Sequence, residues 1–143
     1  MTNYSIDFNY QTDFELSDED VYIRWVNRCI EDEGFTTGDI SYFFLSDEAL
    51  LEINKSEINH DYFTDIITFD LSIGNLISAE IYISVDRVRD NAKELAVSFD
   101  DEIRRVLIHG VLHCMGFKDK SEEESRVMRK KEEEKMQLFH VEQ

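Results

Sequence analysis

Ile108-His109-Gly110-Val111-Leu112-His113-Cys114-Met115-Gly116-Phe117-Lys118-Asp119-Lys120 is the stretch around which the chain is organised. Two histidines four positions apart on a helix stand one above the other on the same face, because a turn of about 3.6 residues brings i and i+4 together. Their rings can then grip one metal ion. Val106, Leu107, Ile108, Val111, Leu112 and Met115 surround them, so the helix reads as buried on nearly every side. Burying two bare imidazoles costs free energy unless something satisfies them, and a metal would do so. Gly110 sits between the two at a cost of about 1 kcal/mol relative to Ala, which fits a place where another backbone or a ligand approaches closely.

A catalytic zinc takes three protein ligands and keeps one open position, so the pair demands a third donor. Asp119 is the leading candidate, six residues after His113 and just past Gly116, where a chain reversal can bring its carboxylate back over the histidine face. Read blandly, Asp119 is an exposed turn carboxylate. His140, near a terminus prone to fraying, and His60, in a polar loop, are rival donors. Cys114 points about 100° away from His113 around the helix and reads as a structural thiol. Zinc peptidases of the HExxH type place a glutamate beside the first histidine; Gly110 stands there, which disfavours peptidase chemistry. Two histidines and one carboxylate around a metal can still act as a Lewis acid on a phosphoryl oxygen or activate water.

Upstream of this stretch, Tyr4, Ile6, Phe8 and Tyr10 alternate with polar residues as in a half-buried strand. A helix follows, with Ser17 as N-cap and a stripe of Val21, Trp25, Cys29 and Ile30 running up to Gly34. Asp39 to Leu45 reads as a second strand, and Ser46 with Asp47 and Glu48 opens a short helix. Lys55 to Thr64 reads as a polar loop. Asp65 to Leu71 and Ile77 to Ser84 look like a hairpin joined across Ser72-Ile73-Gly74-Asn75, and Asp86 to Leu95 is helical. Downstream, Ser121 and Glu124 form a capping box for a last helix so charged that only Val127, Met128, Met136, Leu138 and Phe139 can pack. Strands come mostly before the two longest helices, which suggests an α+β layer with helices on one or both faces.

At 143 residues, with 42% apolar residues, ten Phe and six Tyr, the chain suits one domain spanning 1–143 that buries about two-thirds of its unfolded surface. Cys29 and Cys114 have no spacing motif, so no disulfide framework or cysteine-only zinc site is expected, and a reducing compartment fits. No secretory pattern opens the chain and no run nears about 18 apolar residues, so the expected location is the cytoplasm, with no membrane partner. A net charge of −17 repels polyanions. Basic residues still cluster at Arg87 with Arg89, Arg104 with Arg105, and Arg126 with Arg129, Lys130 and Lys131; a positive groove and a solvated mixed-charge helix surface both remain open readings.

The segment from His109 to Phe117 resembles the signature of the YbeY family of bacterial endoribonucleases and rRNA maturation factors, H-G-x-L-H-L-x-G-Y-D-H. Asn54 followed by His60-Asp61-Tyr62-Phe63-Thr64-Asp65-Ile66-Ile67-Thr68-Phe69 is similar to that family's N...[KH]-D-x-x-T-[DN]-V-L-S-F segment, and Ala79-Glu80-Ile81-Tyr82-Ile83-Ser84 to its G-[DE]-I-x-I strand. Order and spacing match from about Leu45 to Asp119. The resemblance implies an α+β fold, with a small mixed sheet of about four strands packed with about five helices, one of them a histidine helix like those of zinc hydrolases; it implies a zinc ion at that helix, one per chain, and metal-dependent cleavage of single-stranded RNA in ribosome maturation. It also implies RNA, notably rRNA in ribosomal particles, as partner, with ribosomal or assembly proteins beside it. Two positions depart from the pattern. Asp119 stands where the family has a third histidine, which keeps a donor and changes the charge of the site. Ile58 stands at the place of a loop arginine suited to phosphate, with Lys55, His60 and Arg105 as candidate substitutes.

The expected ligands are therefore His109, His113 and Asp119, and the expected reaction is RNA phosphodiester hydrolysis by metal-activated water, with no further catalytic group assigned. Asp65 and Glu80 are candidates to orient a ligating imidazole through its free N–H, with strand-edge carboxylates facing water as the alternative. His60 and Arg105 are candidates for substrate contact. Hydrolysis of a peptide or small ester, and a non-catalytic ribosome-assembly factor with a structural metal, are the alternative functions.

Overall fold

The computed structural model describes residues 4–58 and 64–142, with side chains as far as His140. Among them, four strands and five helices follow in the order β1 (Ser5–Tyr10), α1 (Glu19–Asp32), β2 (Thr36–Leu45), α2 (Asp47–Ile58), β3 (Ile66–Asp70), β4 (Leu76–Ser84), α3 (Val85–Leu95), α4 (Phe99–Cys114) and α5 (Glu122–Glu142). The strands form one mixed sheet in the order β1-β2-β4-β3. β1 and β4 run parallel to β2, and β3 returns antiparallel to β4 as the expected hairpin, pairing Thr68 with Ile81 and Phe69 with Glu80. This is the α+β class read from the sequence.

Alternation along the strands assigns the two faces of the sheet. Ile40, Tyr42 and Phe44 of β2 and Ile77, Ala79, Ile81 and Ile83 of β4 join a large core with Trp25, Val26 and Ile30 of α1 and Val106, Leu107 and Val111 of α4. The opposite face carries a smaller cluster of Leu45, Leu50 and Ile67 under α2, flanked by Phe43 stacked on Tyr82 at 4.6 Å. α4 is tied to the sheet by the buried Tyr42 hydroxyl, which donates to the Leu107 carbonyl at 2.9 Å. α5 packs on α1 and α4, and the Trp25 indole donates to the Lys135 carbonyl at 2.7 Å.

Four local expectations are corrected. Asp18, not Ser17, caps α1, accepting from the Val21 amide; its charge adds to the dipole interaction that a serine hydroxyl lacks. β2 begins at Thr36 because Thr36 and Thr37 pair with Leu76 and Ile77 ahead of a bulge at Gly38 and Asp39. α2 continues to Ile58, so the first part of the expected loop is helix, held by buried Asn54 and by Ile53 and Ile58 against the smaller cluster. In α5, Val127 is exposed while Glu132 and Lys135 are buried alongside Met128 and Phe139. The positions 128, 132, 135 and 139 form one i, i+4, i+7, i+11 stripe, so helix geometry carries the two charged residues inward with the apolar ones.

Candidate metal centre

α4 presents the two histidines at its C-terminal end. Ser98 caps its start by accepting from the Asp101 amide, and Asp100, Asp101 and Glu102 occupy the first turn, where negative charge is favoured. Gly110 faces the sheet. A Cβ there would meet Ile81 Cδ1 at 2.9 Å, Thr68 Oγ1 at 3.2 Å and Ile66 Cδ1 at 3.3 Å. The close approach at this glycine is thus made by side chains of β3 and β4, not by the backbone or ligand expected, and it seats the histidine turn directly on the sheet.

The helix ends in a Schellman motif. The Phe117 amide donates to the Leu112 carbonyl and the Gly116 amide to the His113 carbonyl, while Gly116 takes φ +99°, a value glycine adopts without a Cβ penalty. The chain turns back, and the Ser125 hydroxyl pins it by donating to the Asp119 carbonyl at 2.9 Å. The capping box then forms as read, Ser121 Oγ accepting from the Glu124 amide and Glu124 Oε1 from the Ser121 amide.

His109 Nε2 and His113 Nε2 each lie 3.3 Å from Asp119 Oδ2. The three donor atoms all fall within 4.8 Å of one another. Bonds of about 2.0–2.1 Å in tetrahedral geometry separate ligand atoms by about 3.3 Å, so the donor set and its spacing fit one divalent ion. His109 is mostly buried, whereas His113 and Asp119 keep a third or more of their side-chain surface exposed, leaving the solvent side open.

A cavity of about 460 Å³ opens beside the donors, lined also by Thr64, Asp65, Ile66, Thr68, Asp70 and Cys114. Its wall is β3, one of the two edge strands of the sheet. Burial, and then the neighbouring Asp70 carboxylate, push the Cys114 thiol up to about 12. Its sulfur is not among the donor atoms that converge with those of His109 and His113. A second cavity of about 620 Å³ lies on the α5 side of His109 and Asp119, between Arg105, Met128, Glu132 and Met136.

The other residues singled out from the sequence fall differently. Asp65 lines the cavity, but its carboxylate meets Arg105 at 3.7 Å and Asn91 at 3.4 Å, and neither contact is to a ligating imidazole. Glu80 is not brought to the site. It is exposed, accepts from the Tyr82 hydroxyl and alternates with the buried Ile77, Ala79, Ile81 and Ile83, which puts it on the sheet face away from α4. His60 lies outside the described residues. His140 is exposed, edge-on to Phe139, about 27 Å along α5 from its first turn. Arg105 is committed to carboxylates, with Glu102 at 2.6 Å, Glu132 at 3.3 Å and Asp65 at the distance given. Its guanidinium is not a free phosphate hand.

Nor do the basic clusters make a positive groove. Arg87 pairs with Asp47, Arg104 with Asp101, and Lys131 with Glu33, while Arg126, Arg129 and Lys130 are exposed along α5. The residue missed from sequence is Glu132. Its Oε2 lies 2.6 Å from His109 Nδ1, the nitrogen turned away from Asp119. The signal for it was the α5 stripe, with a charged residue at a position whose i−4 and i+7 neighbours are apolar and buried.

The chain from residue 7 to residue 140 matches the family model described as Endoribonuclease YbeY. The chain belongs to the YbeY endoribonuclease family. Among relatives named Endoribonuclease YbeY, that of Flavobacterium psychrophilum is 51% identical over 138 residues, covering 96% of this chain and 99% of the relative. That of Christiangramia forsetii is 50% identical over 143 residues, the whole of both chains. The solution structure of TM1509 from Thermotoga maritima is similar with a TM-score of 0.62 at 25% identity, covering 95% of this chain and 92% of that one. The YbeY resemblance read from three sequence blocks is thereby extended to almost the full chain. At the place of the loop arginine in the YbeY pattern, Ile58 ends α2 and packs on the smaller cluster.

Proposed function

We propose that this chain is a metal-dependent, single-strand-specific endoribonuclease, a single hydrolase-like domain over residues 1–143 acting in the cytoplasm on rRNA during maturation and quality control of ribosomal particles. His109, His113 and Asp119 hold one Zn2+. The convergence of His109 Nε2, His113 Nε2 and Asp119 Oδ2 at an open cavity carries the reading. Two imidazoles and one carboxylate suit zinc and also manganese or iron, so the carboxylate widens the choice of metal relative to three histidines. Among the described residues no helix is long and apolar enough to cross a membrane, consistent with a site that works in solution.

A divalent ion so held supplies Lewis acidity toward a phosphoryl oxygen and lowers the pKa of water. The remaining chemistry belongs to the side chains. Asp119 donates a carboxylate oxygen from a turn fixed by Ser125 and Gly116, so the donor is positioned before substrate arrives. No Lys or Arg lines the cavity beside the donors among the described residues. A phosphate there faces Asp65, Asp70 and Asp119 and depends on divalent charge for compensation. The hydroxyls of Thr64 and Thr68 and the outer edge of β3 are the neutral groups left to orient an RNA strand.

Incubation with single-stranded RNA and with casein, each with and without chelator, tests the assignment. Chelator-sensitive RNA cleavage that is lost in His113→Ala, together with loss of bound metal in that variant, is the expected result. Chelator-sensitive proteolysis without RNA cleavage would replace the substrate. Metal retained in full by His113→Ala would overturn the site.

A further inference from the structure

We infer that Glu132 is the positioning residue for His109: its carboxylate takes the Nδ1 proton and so turns Nε2 toward Asp119 and the metal, and Arg105 holds Glu132 in place. The inference rests on His109 being a ligand, as proposed above. Of the contacts Glu132 makes, the 2.6 Å approach to His109 Nδ1 is shorter than the 3.3 Å approach to Arg105. A glutamate only pairing with an arginine would have no need of the imidazole. A neutral imidazole carries one proton. A carboxylate 2.6 Å from Nδ1 fixes that proton there, because Asp119 Oδ2, the competing acceptor at Nε2, is 3.3 Å away. The lone pair on Nε2 is then free for a metal.

The support for Glu132 is itself built in. The side chain is 5% exposed and Glu102 only 1%, and Arg105 lies between them, donating to Glu102 from Nε at 2.9 Å and from Nη2 at 2.6 Å. Asp65, at the start of the cavity wall, completes the set of carboxylates around the same guanidinium. Two buried carboxylates are satisfied by one fixed fork and one imidazole, an arrangement whose geometry leaves Glu132 little freedom to move off His109. α5 thus reaches the metal site without contributing a ligand.

Zinc affinity measured by competition with a chromophoric chelator, and the His109 tautomer read from two-bond nitrogen–proton NMR spectra of the metal-free protein above the imidazole titration range, test this. Wild type is expected to hold His109 as the Nδ1–H tautomer. Glu132→Leu is expected to show the Nε2–H form and to bind zinc about 10- to 100-fold more weakly. Glu132→Gln, which keeps an acceptor oxygen and the side-chain shape, is expected to fall between the two and serves where the leucine variant fails to fold. A folded Glu132→Leu or Glu132→Gln with wild-type zinc affinity, or an Nε2–H tautomer in wild type, would overturn the inference. If wild type bound no zinc the ligand assignment would fail, whereas wild-type zinc binding with no effect at Glu132 would sink the positioning role alone.

Discussion

At the residue scale, the site is held by charges that no single residue could carry inward alone. Glu102 and Glu132 are almost fully buried, and Arg105 is the cation they share. Removing it with Arg105→Leu strips Glu102 of its guanidinium and leaves Glu132 only His109, and a loss of about 3–5 kcal/mol in urea unfolding is expected; a loss below about 1 kcal/mol would mean the carboxylates find other partners. Tyr42→Phe removes only the hydroxyl bond to the Leu107 carbonyl and is expected to cost about 1 kcal/mol in the same measurement. The meeting of the three candidate donors was legible in the sequence because their relation is local: i, i+4 on one helix, then a glycine turn. Glu132 was not, because it lies 23 residues from His109 in a helix crowded with glutamates, and only packing against α4 selects it. For Glu80 the water-facing reading holds, and the sequence left both open for a related reason: strand alternation was readable, but not which face α4 would cover.

At the scale of elements, two junctions decide whether the donors meet. The first is α4 on the sheet at Gly110. Alanine would gain about 1 kcal/mol in helix propensity and lose about 1–3 kcal/mol by overpacking three side-chain neighbours. Gly110→Ala is therefore expected to be net destabilising by about 1 kcal/mol in chemical denaturation; a more stable variant would show that Ile81 and Ile66 yield at no cost. The second junction is α1 on α5, where buried Lys135 meets Asp32 at 2.6 Å, Glu134 at 3.0 Å and Glu33. Hydrogen bonds from Lys135 hold Asp32 and Glu134 below the usual carboxylate range; at Glu33 burial acts upward, and bonds from Lys135 and Lys131 outweigh it. Groups with depressed values add stability that is complete above the ordinary carboxylate pKa and disappears as pH falls through the folded ones. Thermal stability should thus drop steeply below about pH 4. Lys135→Met, less stable at neutral pH by on the order of 2 kcal/mol, should show a flatter profile there; equal slopes would contradict the assignment. The hairpin, the capping box and the C-terminal turn of α4 were legible because each is a local device. The extra turn of α2 was not, because its last residues are polar and Ile58 finds its partners only on the folded sheet.

For the whole molecule, a charge of −17, with no Lys or Arg among the described residues that line the cavity beside His113, repels RNA at long range rather than drawing it in. Screening should help it. With divalent metal saturating, kcat/KM on a short single-stranded RNA is expected to rise about threefold between about 20 and 200 mM monovalent salt, as repulsion between like charges is damped; a steep fall would reveal a phosphate-binding surface on the chain. The α+β class followed from where strand and helix periods fall along the sequence. The order β1-β2-β4-β3 did not, since which strands become neighbours depends on contacts between segments far apart in the chain. That order makes β3 an edge strand and the wall of the cavity beside the candidate donors. The most direct measurement is an anomalous-difference map at the zinc absorption edge from crystals grown with zinc: one peak bonded to His109 Nε2, His113 Nε2 and Asp119 Oδ2 is the predicted result. Zinc bound elsewhere, or by the histidines with Asp119 turned to solvent, would contradict it.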